Sequence, residues 1–211
     1  MAVYGSYLSG VILAGGQNKR FPILKGFIKI NNTTIIEKNL ILLNTLFEEV
    51  FISANDIHPY LRFATTVITD LIPPQGPMTG IYSCLLKSKA NSIFVLTCDM
   101  PFVEETLVRY FCDYFLRILD SNVPYDAVIP RCFGKVEPLF AIYSKSALPS
   151  MKKSIELKKV KMRQFLEKIN THYVDLSNII DETMSWRLSF ENINTLSDFE
   201  RLKGKGLNLN N

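Results

Sequence analysis

Nowhere in the 211-residue chain does an apolar run approach the ~20 residues needed to cross a bilayer. The opening MAVYGSYLSG also lacks the charged start and apolar stretch of a secretory leader. A membrane partner is therefore not expected, and the cytoplasm is the default compartment. Cysteine is sparse: Cys84, Cys98, Cys112 and Cys132 form no CxxC and no Cys/His metal spacing. They read as small core residues of a reducing compartment. The two histidines, His58 and His172, have no partner spacing and are assigned to surface or loop. Excess charge is small as well. Twenty-four Lys and Arg against 20 Asp and Glu leave +4, with the basic residues interspersed among acids. A nucleic-acid binder shows a denser basic face, so nucleic acid is not an expected partner, whereas an acidic small molecule is compatible.

What is present is alternation. GVILA (10–14), EVFISA (49–54), TVITD (66–70) and SIFVLTCDMP (92–101) are short apolar runs with the look of buried strands. Between them lie helical stripes: Ile36, Leu40, Leu43 and Phe47 on one, and Val103, Leu107, Tyr110, Phe111, Tyr114 and Phe115 on another. GPMTGIYSCLLKS (76–88) reads as a loop entering a helix. Strand–helix alternation implies right-handed βαβ units and a mostly parallel sheet covered on both faces, an α/β three-layer sandwich of Rossmann-like type. After Asp126 the pattern changes. DAVIPRC and KVEPLFAIYS flank Phe-Gly in the manner of a hairpin or a hinge. A basic helical stretch, the strand THYVDL and a final helix follow, and GKGLNLNN (204–211) reads as a frayed tail.

In open parallel sheets, ligands bind outside the carboxyl ends of the strands. Three features fall there: the Gly15-Gly16 turn, Asp70 and Asp99. The stretch VILAGGQNKRFPILKGF (11–27) contains neither GxxxxGK[ST] nor GxGxxG, so it is neither a P-loop nor a dinucleotide fingerprint. Paired glycines nonetheless let a backbone approach a ligand closely, and Arg20 and Lys25 follow as mobile cations. A tight turn with two surface cations is the plain alternative. Asp99 suits magnesium, which takes one or two protein oxygens and completes its shell with phosphates and water; the alternative is an N-cap for the helix near Val103. Asp70 either holds a ribose or opens the loop DLIPPQGP.

Taken together, these residues resemble the molybdenum cofactor guanylyltransferases, or molybdopterin-guanine dinucleotide synthases, of the nucleotidyltransferase superfamily. LAGGQNKRF with the following Lys is similar to that family's LAGGxxxRMGxxK; DLIPPQGPMTGI, CDMPF, EPLFAIY and FENINTLSDFE are similar to further segments, in order, from residue 10 to about 203. The resemblance implies one domain of nucleotide-diphospho-sugar transferase type over 1–211. A nucleotide half would span about 9–125 and an acceptor half about 126–203, leaving 204–211 as a flexible tail. It also implies a reaction: magnesium-dependent transfer of GMP from GTP to molybdenum-loaded molybdopterin, releasing pyrophosphate.

Residue by residue, the resemblance implies that backbone groups of Leu13, Ala14, Gly15 and Gly16 face guanine and ribose, while Arg20 and Lys25 contact phosphates. Asn55 would help read the base, Asp70 would approach the nucleoside, and Asp99 would hold the metal. Glu137, Asn192 and Asn194 would lie around the acceptor. Asn192 and Asn194 compete with Thr195 and Ser197 for the alternative role of capping the final helix. The basic stretch MKKSIELKKVKMRQFL (151–166) is either on the pterin side or a solvated helix face. Molybdoenzymes or other cofactor-pathway proteins are the implied protein partners, and the chain a monomer or small homo-oligomer.

Two departures stand out. Pro22 replaces a usual Gly and removes an N–H donor, and Leu24 replaces an acid before the Lys. Ser53 also stands where members commonly carry Asn. A relative using CTP or a sugar-phosphate acceptor, or a non-catalytic nucleotide- or pterin-binding protein, are the competing readings.

Overall fold

The computed structural model describes residues 3–15, 23–119, 123–177, 184–204 and 207–208. Its central sheet is ordered β10-β7-β9-β6-β1-β4-β5, with β8 paired to β7. The strands are β1 (Leu8–Leu13), β4 (Val50–Ser53), β5 (Thr66–Ile68), β6 (Ser92–Thr97), β7 (Ala127–Cys132), β8 (Lys135–Val136), β9 (Ala141–Ser144) and β10 (Thr171–Asp175). β1 pairs in parallel with both β4 and β6, and β4 with β5. β9 runs antiparallel to β6 and to β7, while β10 is parallel to β7. β7 and β10 therefore point the same way as β1, and all their carboxyl ends share one rim.

Alternation along the strands explains the three layers. Leu8 and Ile12 of β1, Phe94 and Leu96 of β6, and Ile142 of β9 face α1 (Ile35–Leu46) and α3 (Glu105–Leu119). Val11, Leu13, Ile93, Val95 and Tyr143 face α2 (Pro77–Lys87), α4 (Leu148–Glu156) and α5 (Met162–Leu166) on the other side. Phe94 is the hub of the first layer, stacked on Phe47 at 5.8 Å and edge-on to Phe140 at 5.1 Å. Burying each such ring contributes about 1.5–3 kcal/mol. The expected α/β three-layer sandwich is thus present, with a mostly parallel sheet into which β9 inserts antiparallel.

α1 starts where Thr34 accepts from the Glu37 amide and Glu37 reaches back to the Thr34 amide, a reciprocal capping box. The basic stretch breaks in two. α4 ends with Lys158 at φ +55, its amide donating to Ile155 O and the Lys159 amide to Ser154 O, a Schellman stop. Lys152, Lys153, Lys158, Lys159, Lys161 and Arg163 are all exposed.

The Phe133-Gly134 pair joins β7 to β8 with φ +47 and +75, a two-residue hairpin. The left-handed region costs a non-glycine residue about 1–2 kcal/mol.

Two expectations are corrected. The tail is not wholly frayed: β11 (Leu207–Asn208) pairs with β2 (Lys29–Ile30), which pairs with β3 (Thr33–Thr34). The inward apolar residues Ile28, Ile35, Phe199 and Leu202 pack into one cluster beside this small sheet. His172 is not in a loop: it lies part-buried in the edge strand β10, with its Nε2 2.9 Å from the Tyr114 hydroxyl and its ring 4.8 Å from that of Tyr125.

Candidate active site

β1, β4, β5 and β6 end side by side on the rim, and each end contributes. After β6, Thr97 donates to Oδ1 of Asp99 at 2.6 Å. Lys25, in the short 3-10 turn Lys25–Phe27, donates to Oδ2 of Asp99 at 3.2 Å and to Oδ1 of Asn194 at 2.9 Å. The Ile193 amide donates to the Asp99 carbonyl at 3.0 Å, which ties the segment before α7 (Leu196–Lys203) to this strand end. Asp99 is not a helix cap. α3 begins at Glu105, and it is Ser189 Oγ that accepts from the Glu104 amide.

The second cluster joins β4 to β5. Asn55 Nδ2 donates to Asp70 Oδ2 at 2.8 Å, and the Asp70 amide donates to Asn55 Oδ1 at 2.9 Å, a two-bond clasp. Thr79 Oγ1 of α2 adds a third contact to the same oxygen at 3.1 Å. Gly80 lets α2 come this close, because a Cβ there would stand 2.6 Å from Ser53 Oγ. Ser53 is buried beneath the helix.

Between the clusters lies the end of β1. The Leu13 carbonyl accepts from the Cys98 amide, the Ala14 amide donates to the Ser53 carbonyl, and the Ala14 carbonyl accepts from the Tyr60 hydroxyl at 3.1 Å. The backbone expected to face a nucleoside is thus engaged at these positions. The exposed Gly15 carries no such bond among the described residues. Gly16, Arg20 and Pro22 lie outside the described residues. Leu24 precedes Lys25 without a carboxylate, and Asp99 and Asn194 do the orienting instead.

Glu137, expected near the acceptor, is half-buried just after β8; burial pushes its carboxyl up, opposed by Arg163 and Lys135. Asn192 donates to the Phe190 carbonyl at 3.4 Å. Neither asparagine caps α7; Thr195 does, in a capping box with Asp198. The structure therefore brings Lys25, Asp99 and Asn194 together and pairs Asn55 with Asp70, whereas none of the contacts among these residues includes Glu137 or Asn192. Sequence reading missed Thr97, Thr79 and Tyr60. Thr97 precedes Cys98-Asp99 and was within reach of a strand-end argument; Tyr60 carried no signal.

Burial raises the thiols of Cys84 and Cys98 to about 12, which fits inert packing rather than nucleophilic chemistry. Among the described residues, no group of three or more His, Cys, Asp and Glu side chains is arranged to hold a metal ion. A site completed by substrate phosphates needs fewer. The Lys25 ammonium already stands as a cation between two hard oxygens, so the donor set fits magnesium.

The sequence pattern of the MobA-like NTP transferase domain matches residues 10–174. The chain belongs to that family. It is 31% identical to a probable molybdenum cofactor guanylyltransferase of Pelotomaculum thermopropionicum, over 92% of this chain and 91% of that one. It is 29% identical to the molybdenum cofactor guanylyltransferase of Syntrophotalea carbinolica, over 94% and 91%. The fold is shared with the crystal structure of molybdopterin-guanine dinucleotide biosynthesis protein A from Archaeoglobus fulgidus: TM-score 0.77, 24% identity, 93% of this chain and 97% of that one. As a family member the chain is a nucleotidyltransferase, and the rim clusters occupy the strand ends where such chemistry belongs. No helix among its described residues is long and apolar enough to cross a membrane.

Proposed function

We propose that this family member transfers GMP from GTP to molybdenum-loaded molybdopterin, giving the guanine dinucleotide and pyrophosphate. The observation that carries the chemistry is the Lys25 ammonium lodged between Asp99 and Asn194 on the rim. The base and acceptor follow from the names of the relatives.

The reaction needs no nucleophilic side chain. A terminal phosphate oxygen of the acceptor attacks the α-phosphorus of GTP in line; the new O–P bond forms as the bond to the β-phosphate oxygen breaks. Such transfers depend on positioning and on electrostatic stabilisation. Asp99, aimed by Thr97, and Asn194 would hold magnesium. Bound there, the metal offsets phosphate charge. Lys25, and Arg20 five residues before it in sequence, would offset charge on the departing pyrophosphate. Gly15 would admit the nucleoside close to the backbone, and Asp70, braced by Asn55 and Thr79, would present a carboxylate to it.

Incubating the protein with magnesium, molybdenum-loaded molybdopterin and each nucleoside triphosphate in turn tests this. Pyrophosphate and the guanine dinucleotide are expected with GTP. Preference for CTP, or release of no pyrophosphate, overturns it.

A further inference from the structure

The β7–β8 hairpin carries a residue its geometry does not want. Both loop positions have positive φ, the conformation that favours Asn-Gly, yet the first is Phe133 at φ +47, with its side chain 50% exposed. Burial therefore does not explain the ring. The surroundings hold it in place: the Phe133 amide donates to Ser177 Oγ at 2.9 Å, and the Ser177 amide donates to Asp175 Oδ1 at 2.9 Å. The Arg187 guanidinium lies over the ring, 5.0 Å from its centroid. A strained, braced and solvent-facing aromatic points to a function.

Its place in the fold says which. β7 runs parallel to β10 and, through the antiparallel β9, in the same direction as β6, so the hairpin tip stands on the rim that carries Asp99. Arg187 belongs to α6 (Met184–Leu188), and the chain from there leads along the rim. Phe190 packs on Phe140 at 5.2 Å, and Asn194 reaches Lys25. One short segment thus touches the hairpin ring at one end and the phosphate-handling cluster at the other.

We propose that Phe133 and Arg187 form a platform for the flat heteroaromatic end of the acceptor, whose phosphate end lies at Lys25, Asp99 and Asn194. This rests on the reading of the acceptor as a phosphorylated pterin. An exposed aromatic face stacks such a ring, and the guanidinium adds a planar cation for its polar edge.

Phe133→Asn separates platform from scaffold, because Asn tolerates the left-handed region and removes the ring. The variant is expected to melt at or above the wild-type temperature. Its KM for molybdopterin should rise at least ~10-fold, the loss of a single stacking contact of about that worth, while its KM for GTP stays within about twofold. Phe133→Tyr should retain wild-type acceptor KM, and Arg187→Gln should share the defect. An unchanged acceptor KM in Phe133→Asn, or an equal rise in both KM values, overturns the platform. Fluorescence titration of molybdopterin alone runs in parallel. If the wild type transfers no GMP yet binds the pterin, the reading of the reaction fails, and weaker binding by Phe133→Asn still upholds the platform. No binding by the wild type, or equal binding by the variant, overturns it.

Discussion

The ammonium of Lys25 lies 3.2 Å from Oδ2 of Asp99, and both side chains are only 18% exposed. The other oxygen of that carboxylate accepts from Thr97, so the acid is aimed from two directions. The lysine places a positive charge against this strand-end carboxylate. A divalent cation held by Asp99 and Asn194, as proposed above, would displace it and free the lysine for phosphates.

Lys25→Met is accordingly expected to bind Mn2+ about tenfold more tightly than the wild type without nucleotide, as removal of about 1.4 kcal/mol of competing attraction gives. Its GTP turnover should fall by ~10²-fold or more. Asp99→Asn should lose both properties. Manganese titration by electron paramagnetic resonance reads the affinity; equal or weaker binding by Lys25→Met contradicts the displacement.

The Asn55–Asp70 clasp predicts a graded series. Asn55→Ala frees the Asp70 carboxylate to rotate and should raise the KM for GTP roughly tenfold, the cost of about one good hydrogen bond to a charged group, with a smaller change in kcat. Asn55→Asp sets two carboxylates against each other and should be worse than Ala at pH 7. Steady-state kinetics decide it: equal KM values for wild type and Asn55→Ala remove the clasp from nucleotide binding.

Gly80→Ala should destabilise by about 1–3 kcal/mol, an overpacking cost, because its Cβ would meet Ser53 Oγ at 2.6 Å. Combining it with Ser53→Ala removes that oxygen, and the double variant should recover most of the loss. Denaturant melts of the four proteins measure the coupling, and strictly additive values would refute the contact.

The α1 capping box predicts a pH dependence. Hydrogen bonds from the Thr34 hydroxyl and amide hold the Glu37 carboxyl below its ordinary 4.5. The unfolded chain then binds more protons than the folded one, so this stabilisation is fully present above that value and fades as pH falls through the folded one. Thr34→Ala should cost about 1 kcal/mol at pH 7 and flatten the loss of stability between about pH 5 and 3. Melts across that range check it: a loss of stability as steep in the variant as in the wild type would show that Thr34 does not hold the Glu37 carboxyl down.

Much of this molecule is written in short windows of sequence. The apolar strands, the helix stripe of Ile36, Leu40 and Leu43, and the Thr34–Glu37 box are local because their periods and caps close within a few residues. Asp70 and Asp99 were legible as strand-end acids for the same reason, and the Phe-Gly hairpin as a turn. Tertiary structure alone decided which of these meet. Lys25 and Asn194 are 169 residues apart, and no periodicity carries that pairing. It follows from β1 lying between β4 and β6. Burial of both sheet faces puts β1 there, and the amide of Ile193 then ties the chain before α7 to the end of β6. Likewise Phe133 became informative only once its φ and its exposure were known together, because strain and solvent contact belong to the folded chain.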